Sequence, residues 1–425
     1  MFRELSKESV EAAYRDARDR YAALGVDVDK ALERLATIPV SINCWQGDDV
    51  TGFEGAEGIT GGGIMATGNY GGKPRTPDEL RRDFEMADDL IPGKHRFNMH
   101  AIYLEHGGTK VDRDQIGPKQ FQGWIDWARD RGLALDFNPT FFSHPKADDG
   151  WTLASKDKGI RDFWIEHGKR CREISEEMGR QLGATCMDNF WMPDGAKDEP
   201  VDRLGHRRLL ADSLDAIFAD KKDPKHTLDA VESKLFGLGS EAYVVGSHDF
   251  YVAYAMSRNL VLTMDAGHYH PSESIAEKIP ALLPFMDRLM LHVSRPVRWD
   301  SDHVVRMDDP TLAIAKEIAR ADAFERVFLA VDFFDASINR IAAWVIGVRA
   351  TIKSALWALL EPTAMLREEE EQGRLGNRLA LLEELSNMPF GAVWDKYCLD
   401  NGVPVGPAWL NRIDEYEKTV LQKRT

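Results

Sequence analysis

An alternation repeated eight times constrains this chain more than any other feature. Short apolar runs lie at 38–45 (IPVSINCW), 96–103 (RFNMHAIY), 133–140 (LALDFNPT), 186–193 (CMDNFWMP), 229–236 (DAVESKLF), 260–268 (LVLTMDAGH), 289–296 (LMLHVSRP) and 327–335 (VFLAVDFFD). Longer, charged segments with helical periodicity separate them, such as 78–91 (DELRRDFEMADDLI) and 202–220 (DRLGHRRLLADSLDAIFAD). Apolar runs of this length between amphipathic helices read as buried strands of a parallel sheet. Eight such units in succession predict an α/β fold, a (β/α)8 TIM barrel, rather than an open sheet. An amphipathic helix precedes the first run, and from about residue 362 the chain reads as all helix. The expected division is a catalytic barrel with its N-terminal helix and long first loop over 1–350, and a helical extension over 351–425.

The first connection, 46–77, is long and Gly-rich. Its GGG is not followed by Lys-Ser or Lys-Thr, which excludes a phosphate loop. A connection of this length reads as a mobile lid or a subunit-contact arm. The net charge of -16 excludes nucleic acid and anionic membrane surfaces as expected partners. No apolar stretch approaches the roughly 20 residues of a membrane span, and the N-terminal helix lacks the basic, apolar, small-residue order of a signal peptide. The four cysteines (Cys44, Cys171, Cys186, Cys398) form no CxxC pair. They read as reduced, buried thiols of a cytoplasmic protein.

In a barrel of this kind the C-terminal ends of the strands build the active site, and here those ends are polar. The first run ends near Trp45 and the second carries His100. The third ends with Asp136 and Asn138, and the fourth holds Asp188, Asn189 and Trp191, with Asp194 after it. The fifth carries Glu232 and Lys234, the sixth Asp265 and His268, the seventh His292 and the eighth Asp332. Asp300 and Asp302 follow the seventh run in WDSDH. So many carboxylates do not stay ionised side by side without cations. Asp, Glu and His donors with no Cys among them suit divalent ions such as Mn²⁺, Mg²⁺, Co²⁺ or Zn²⁺.

The donors suffice for two ions per chain. Glu232, Asp265, His292 and Asp332 make one site; His268, Asp300 and Asp302 make a second, more open one, with Asp265 placed to touch both. Single members stay ambiguous. A D-x-D is also a turn. Glu232 and Lys234 share a strand face, as an ordinary salt bridge would. Trp45 and Trp191 serve equally as core or as a flat platform for a sugar.

The segments SINCWQGDDVTGFEG, ATGNYGGK, NMHAIYLE, LDFNP, SHP, FWMPDG, DAVESKLFG, MDAGHYHP, LHVSRPVRWDSDHVV and VDFFDASINRIAAWVIG closely resemble the L-rhamnose isomerase family, over almost the whole chain. The resemblance implies an aldose–ketose isomerase that interconverts L-rhamnose and L-rhamnulose at a dinuclear Mn²⁺-type site. It assigns the structural metal to Glu232, Asp265, His292 and Asp332, and the catalytic metal to His268, Asp300 and Asp302. Lys234, His100 and Trp191 match residues that line the sugar, and Phe334 and Ile102 match apolar pocket positions. It also implies a homotetramer, with 351–425 at the subunit contacts. By analogy the hydrogen moves between C1 and C2 as a hydride, with an enediol route as the alternative. Lys234 would stabilise the developing alkoxide, and Asp332 or Asp302 would assist the hydroxyl proton. Two other readings stand beside this one: an isomerase of the same group with a different preferred sugar, and a barrel metal-dependent hydrolase. For the hydrolase the chain offers few cationic groups beyond Arg295 and Arg298.

Overall fold

In a computed structural model, which describes residues 2–47, 52–54, 68, 70–235, 242–297 and 301–424, each of the eight apolar runs overlaps a strand, and the second and fifth strands begin two residues before their runs. The strands are β1 Pro39–Asn43, β2 Lys94–His100, β3 Ala134–Asn138, β4 Cys186–Trp191, β5 Thr227–Glu232, β6 Val261–Asp265, β7 Leu289–Val293 and β8 Val327–Val331. Neighbours in the chain are parallel neighbours in the sheet, and β1 closes on β8 with Val40 opposite Leu329 and Ile42 opposite Val331. The barrel expected from the alternation is present.

Side chains alternate between the two faces of each strand, and this sorts the barrel into layers. Met187, Ala230, Val261, Met290 and Ala330 form an apolar cluster, with Leu228 and Phe328 against it. Two residues further along the same strands stand Asn189, Glu232, Thr263, His292 and Asp332. The polar site therefore rests on an apolar floor inside the barrel. The alternate residues, among them Leu262, Met264, Leu291 and Val331, are buried in the larger core beneath the helices.

Two helices precede the barrel, α1 Lys7–Ala22 and α2 Val28–Leu35. The outer ring is α3 Pro77–Asp88, α4 Gln122–Arg131, α5 Lys158–Leu182, α6 Arg203–Ile217, α7 His248–Arg258, α8 Ile275–Leu282, α9 Asp309–Arg320 and α10 Arg340–Leu359, one after each strand. Local sequence sets their ends. Thr76 caps α3 by accepting from the Glu79 N–H at 3.3 Å, with Pro77 in the first turn, where its missing N–H costs nothing. Asn259 ends α7 in a left-handed conformation, φ 56°, which asparagine tolerates better than most residues.

Four helices follow the barrel: α11 Thr363–Glu371, α12 Leu375–Glu384, α13 Phe390–Asp400 and α14 Trp409–Thr419. α13 packs on α1, with the Lys396 ammonium 5.5 Å from the Tyr14 ring centre. α10 is long and apolar enough to cross a membrane by length and composition alone, but it is the eighth helix of the ring and mostly buried in the fold. The division at 350 falls inside this helix.

Two features lie outside the alternation. Gly195–Ala196 pairs antiparallel with Tyr243–Val244 after the ends of β4 and β5; strands of two residues are too short for periodicity to reveal. Of the long first connection, residues 48–51, 55–67 and 69 lie outside the described residues, and the lid-or-arm reading falls largely on them. Its described parts are tied to the barrel mouth: the Phe53 N–H donates to the Ile102 carbonyl and the Tyr70 N–H to the Ala336 carbonyl, each at 2.8 Å.

Candidate active site

Glu232, Asp265 and His292 come from the ends of β5, β6 and β7 and are 3%, 1% and 2% exposed. Each offers a ligand atom, all within 4.8 Å of one another. His292 Nδ1 lies 3.2 Å from Glu232 Oε2, 3.5 Å from Asp332 Oδ2 and 3.8 Å from Asp265 Oδ2. Neither nitrogen of this buried ring makes a hydrogen bond among the described residues. The Trp45 indole N–H donates to Asp332 Oδ1 at 2.8 Å, which holds the carboxylate in place. Gly267 N–H donates to Asp265 Oδ1 at 2.7 Å.

His268 belongs to the same cluster. Its Nδ1 is 2.7 Å from the Ser233 carbonyl and 3.1 Å from Glu232 Oε1. A carbonyl and a carboxylate only accept, so Nδ1 carries the proton and Nε2 presents a lone pair. The Lys234 ammonium meets that lone pair at 2.8 Å, so a cation already faces the nitrogen. Lys234 also lies over the Trp191 ring, 5.4 Å from its centre. The backbone N–H of Lys234 is held by the Gly246 carbonyl at 3.1 Å. A Cβ on Gly246 would meet the Tyr251 ring at 2.4 Å, so the chain that pins Lys234 passes where only glycine fits.

The electrostatics show how the protein carries this cluster. Burial opposes ionisation of Glu232, yet His292 and His268 hold its carboxyl well below the usual range. Burial, then the charges of Asp302, Glu232 and Asp332, pushes Asp265 well above it. Burial disfavours a charged His292, but Glu232 first, then Asp332 and Asp265, push it up to about 9. The cluster is tolerated by holding protons where a doubly charged ion could sit. Its donors are carboxylate oxygens and imidazole nitrogens with no thiolate, a set that fits a hard to borderline divalent cation.

Of the remaining expected site residues, Asp302 lies close enough to raise Asp265. It has a left-handed backbone, φ 38°, and its carbonyl accepts from the Phe334 N–H at 2.7 Å. Asp300 lies outside the described residues. His100 is buried, its Nδ1 3.1 Å from Thr140 Oγ1 and its ring 3.8 Å from that of Trp45. Burial, then the charge of His292, pushes His100 well below its usual value, so the ring is neutral. Phe334 lies 5.3 Å from Trp45 on one side of the mouth, and Trp191 lies 5.5 Å from Phe142 on the other. Ile102 is 1% exposed, beneath the chain at Phe53.

Three strand-end aspartates do not join the cluster. Asp136 stands two residues lower on β3 and pairs with Arg96 at 2.7 Å. Asp188 is on the outward face of β4. Asp194 folds back to accept from the backbone N–H groups of Thr152 and Ala154 at 2.8 and 2.7 Å. A row of inward asparagines, Asn43, Asn98, Asn138 and Asn189, one on each of the first four strands, lines the mouth beside the cluster and was not assigned a role from sequence. The signal for it was an asparagine at matching inward positions, which strand propensity disfavours.

The chain matches the L-rhamnose isomerase (RhaA) family over residues 8–424. It is 56% identical to the L-rhamnose isomerase of Rhodopirellula baltica over 417 residues, 98% of this chain and 97% of that protein. It is likewise 56% identical to the L-rhamnose isomerase of Listeria innocua over 411 residues, 97% of this chain and 98% of that protein. A solved L-ribulose 3-epimerase superposes with a TM-score of 0.46 at 14% identity, covering 78% of this chain and 97% of that one. The chain belongs to the L-rhamnose isomerase family.

Proposed function

We propose that the chain interconverts L-rhamnose and L-rhamnulose at the mouth of the barrel, moving a hydrogen between C1 and C2 as a hydride. The observation that carries this reading is the buried Glu232–Asp265–His292 cluster on its apolar floor, in a chain of this family. Two divalent ions per chain, manganese first among Mn²⁺, Zn²⁺, Co²⁺ and Mg²⁺, would be held by Glu232, Asp265, His292 and Asp332, and by His268, Asp300 and Asp302. Such an ion supplies Lewis acidity, drawing charge from the sugar carbonyl and hydroxyl oxygens.

The chain's own residues do the rest. Lys234 donates to the sugar oxygen that gains charge, from a half-buried position beside the Trp191 ring. Asp332 or Asp302 assists the movement of the hydroxyl proton. Trp191, His100, Phe334 and Ile102 shape the pocket around the sugar, with neutral His100 able to donate or accept. We further infer a homotetramer with helices of 351–425 at the contacts, in keeping with α12, which buries none of its own residues. A cytoplasmic location accords with four buried, unpaired cysteines.

Incubation with L-rhamnose and Mn²⁺ should yield L-rhamnulose. Dialysis against chelator should abolish turnover, and added Mn²⁺ should restore it. Full turnover in a verified metal-free sample would end the metal reading. Faster turnover of another aldose in a panel would change the preferred sugar but not the reaction.

A further inference from the structure

We infer that Asn189 is a positioning residue for Glu232 and is itself oriented by Asn138; the inference rests on the metal-centre reading above. Asn189 is 1% exposed and its Nδ2 donates to Glu232 Oε2 at 2.6 Å. The second hydrogen of the same NH₂ goes to Asn138 Oδ1 at 3.1 Å. Asn138 Nδ2 in turn donates to Asn98 Oδ1 at 2.6 Å and to the Met99 carbonyl at 3.1 Å.

The direction of every bond in this row is forced. A backbone carbonyl only accepts, so the Met99 contact fixes which end of Asn138 is NH₂. Asn138 Oδ1 must then face Asn189 and requires a donor. Glu232 Oε2, on the other side of Asn189, is a second acceptor facing the same NH₂ group. A flipped Asn189 would set its oxygen against two oxygens at once. The row thus transmits a fixed orientation from a backbone carbonyl on β2 across β3 and β4 to one oxygen of Glu232. With Oε2 held, the carboxylate plane is set, and both its oxygens stand near imidazole nitrogens, at 3.1 Å from His268 and 3.2 Å from His292.

The row carries a cost: Asn189 Oδ1 has no hydrogen-bond partner among the described residues although it is buried, which is the desolvation loss of an unsatisfied acceptor. Orientation of Glu232 is what the amide supplies and a leucine would not.

The test uses full-length protein stripped with chelator and titrated calorimetrically with Mn²⁺, comparing the parent with Asn189→Leu, Asn189→Ala and Asn138→Ala. Partners outside the metal's own ligand shell typically carry roughly 10–100-fold in metal affinity. Both Asn189 variants should weaken Mn²⁺ binding by that order, and Asn138→Ala should weaken it less, in the same direction. The stripped Asn189→Leu protein gives up two hydrogen bonds and should unfold somewhat below the parent; loss of Mn²⁺ affinity in variants that are fully folded at the titration temperature separates orientation from structural support. The alanine variant, which cannot overpack the site, decides the matter if the leucine variant does not fold. Parental Mn²⁺ affinity in a folded Asn189 variant overturns the inference and leaves the metal centre standing. A parent that takes up no Mn²⁺ overturns both.

Discussion

Lys234 shows how one side chain can serve two masters, and mutation can tell them apart. Its ammonium is 2.8 Å from His268 Nε2, so one role is to offset charge in the cluster. The proposed role is donation to the sugar oxygen. If it only offsets charge, Lys234→Met should lower the stability of the metal-free protein and leave the rate at saturating Mn²⁺ near the parent's. If it donates in the transition state, the variant stays folded and metal-loaded while kcat drops by about 10²–10³, with KM moving less. A rate within a few-fold of the parent at saturating Mn²⁺ would remove Lys234 from the chemistry. The residues of this cluster were legible in sequence because each closes an apolar run, where a charged group has no packing reason to stand. Their partners were less so. Trp45 donates to Asp332 through a contact between β1 and β8, and only barrel closure makes those two strands neighbours.

Between the strands and the helix ring, Asp188 sets a different problem. It is 0% exposed, and neither carboxylate oxygen has a hydrogen-bond partner among the described residues. The nearby Arg172 of α5 is engaged by Asp229 through two bonds of 2.8 Å. Burial, then the charge of Asp229, pushes the Asp188 carboxyl well above its usual range. A raised carboxyl pKa means that the folded state keeps a proton the unfolded chain releases. The associated stability is therefore full below the unfolded value, near pH 3.9, and falls by about 1.4 kcal/mol per pH unit until the folded value is reached. Asp188→Asn needs no proton, so its advantage over the parent should be small at about pH 4 and should grow toward pH 7. Chemical denaturation at both pH values checks this; an equal shift at the two would show that the effect is packing alone. At this scale the eight strands and the ring helices were legible because each is long enough to show its period. The 195–196 and 243–244 pair was not, and the continuous α10 shows that the all-helical region past 362 is reached through the barrel's own eighth helix.

For the molecule as a whole, α12 is a helix that leaves its apolar side chains uncovered. It has no buried residue, and Leu375 and Leu379, one turn apart, are 53% and 65% exposed. Within the proposed tetramer this face would be covered by another copy. Burying a leucine is worth roughly 1.5–3 kcal/mol. Replacing both Leu375 and Leu379 by Asp should therefore shift the assembly toward smaller species in light scattering at fixed concentration. An unchanged mass would take α12 out of the interface, and a monomeric parent would remove the tetramer. Periodicity identifies a helix but does not say what covers its apolar face, so this level was the hardest to read from sequence. The closure of β1 on β8 also bears on how the chain is made. Val40 finds Leu329 across most of the polypeptide, so during synthesis the first strand keeps one open edge until the last has emerged. Contacts between such distant segments slow folding, and an unpaired edge is a template for association with other chains. The nascent protein should therefore be most prone to aggregate after β7 is out and before β8 arrives.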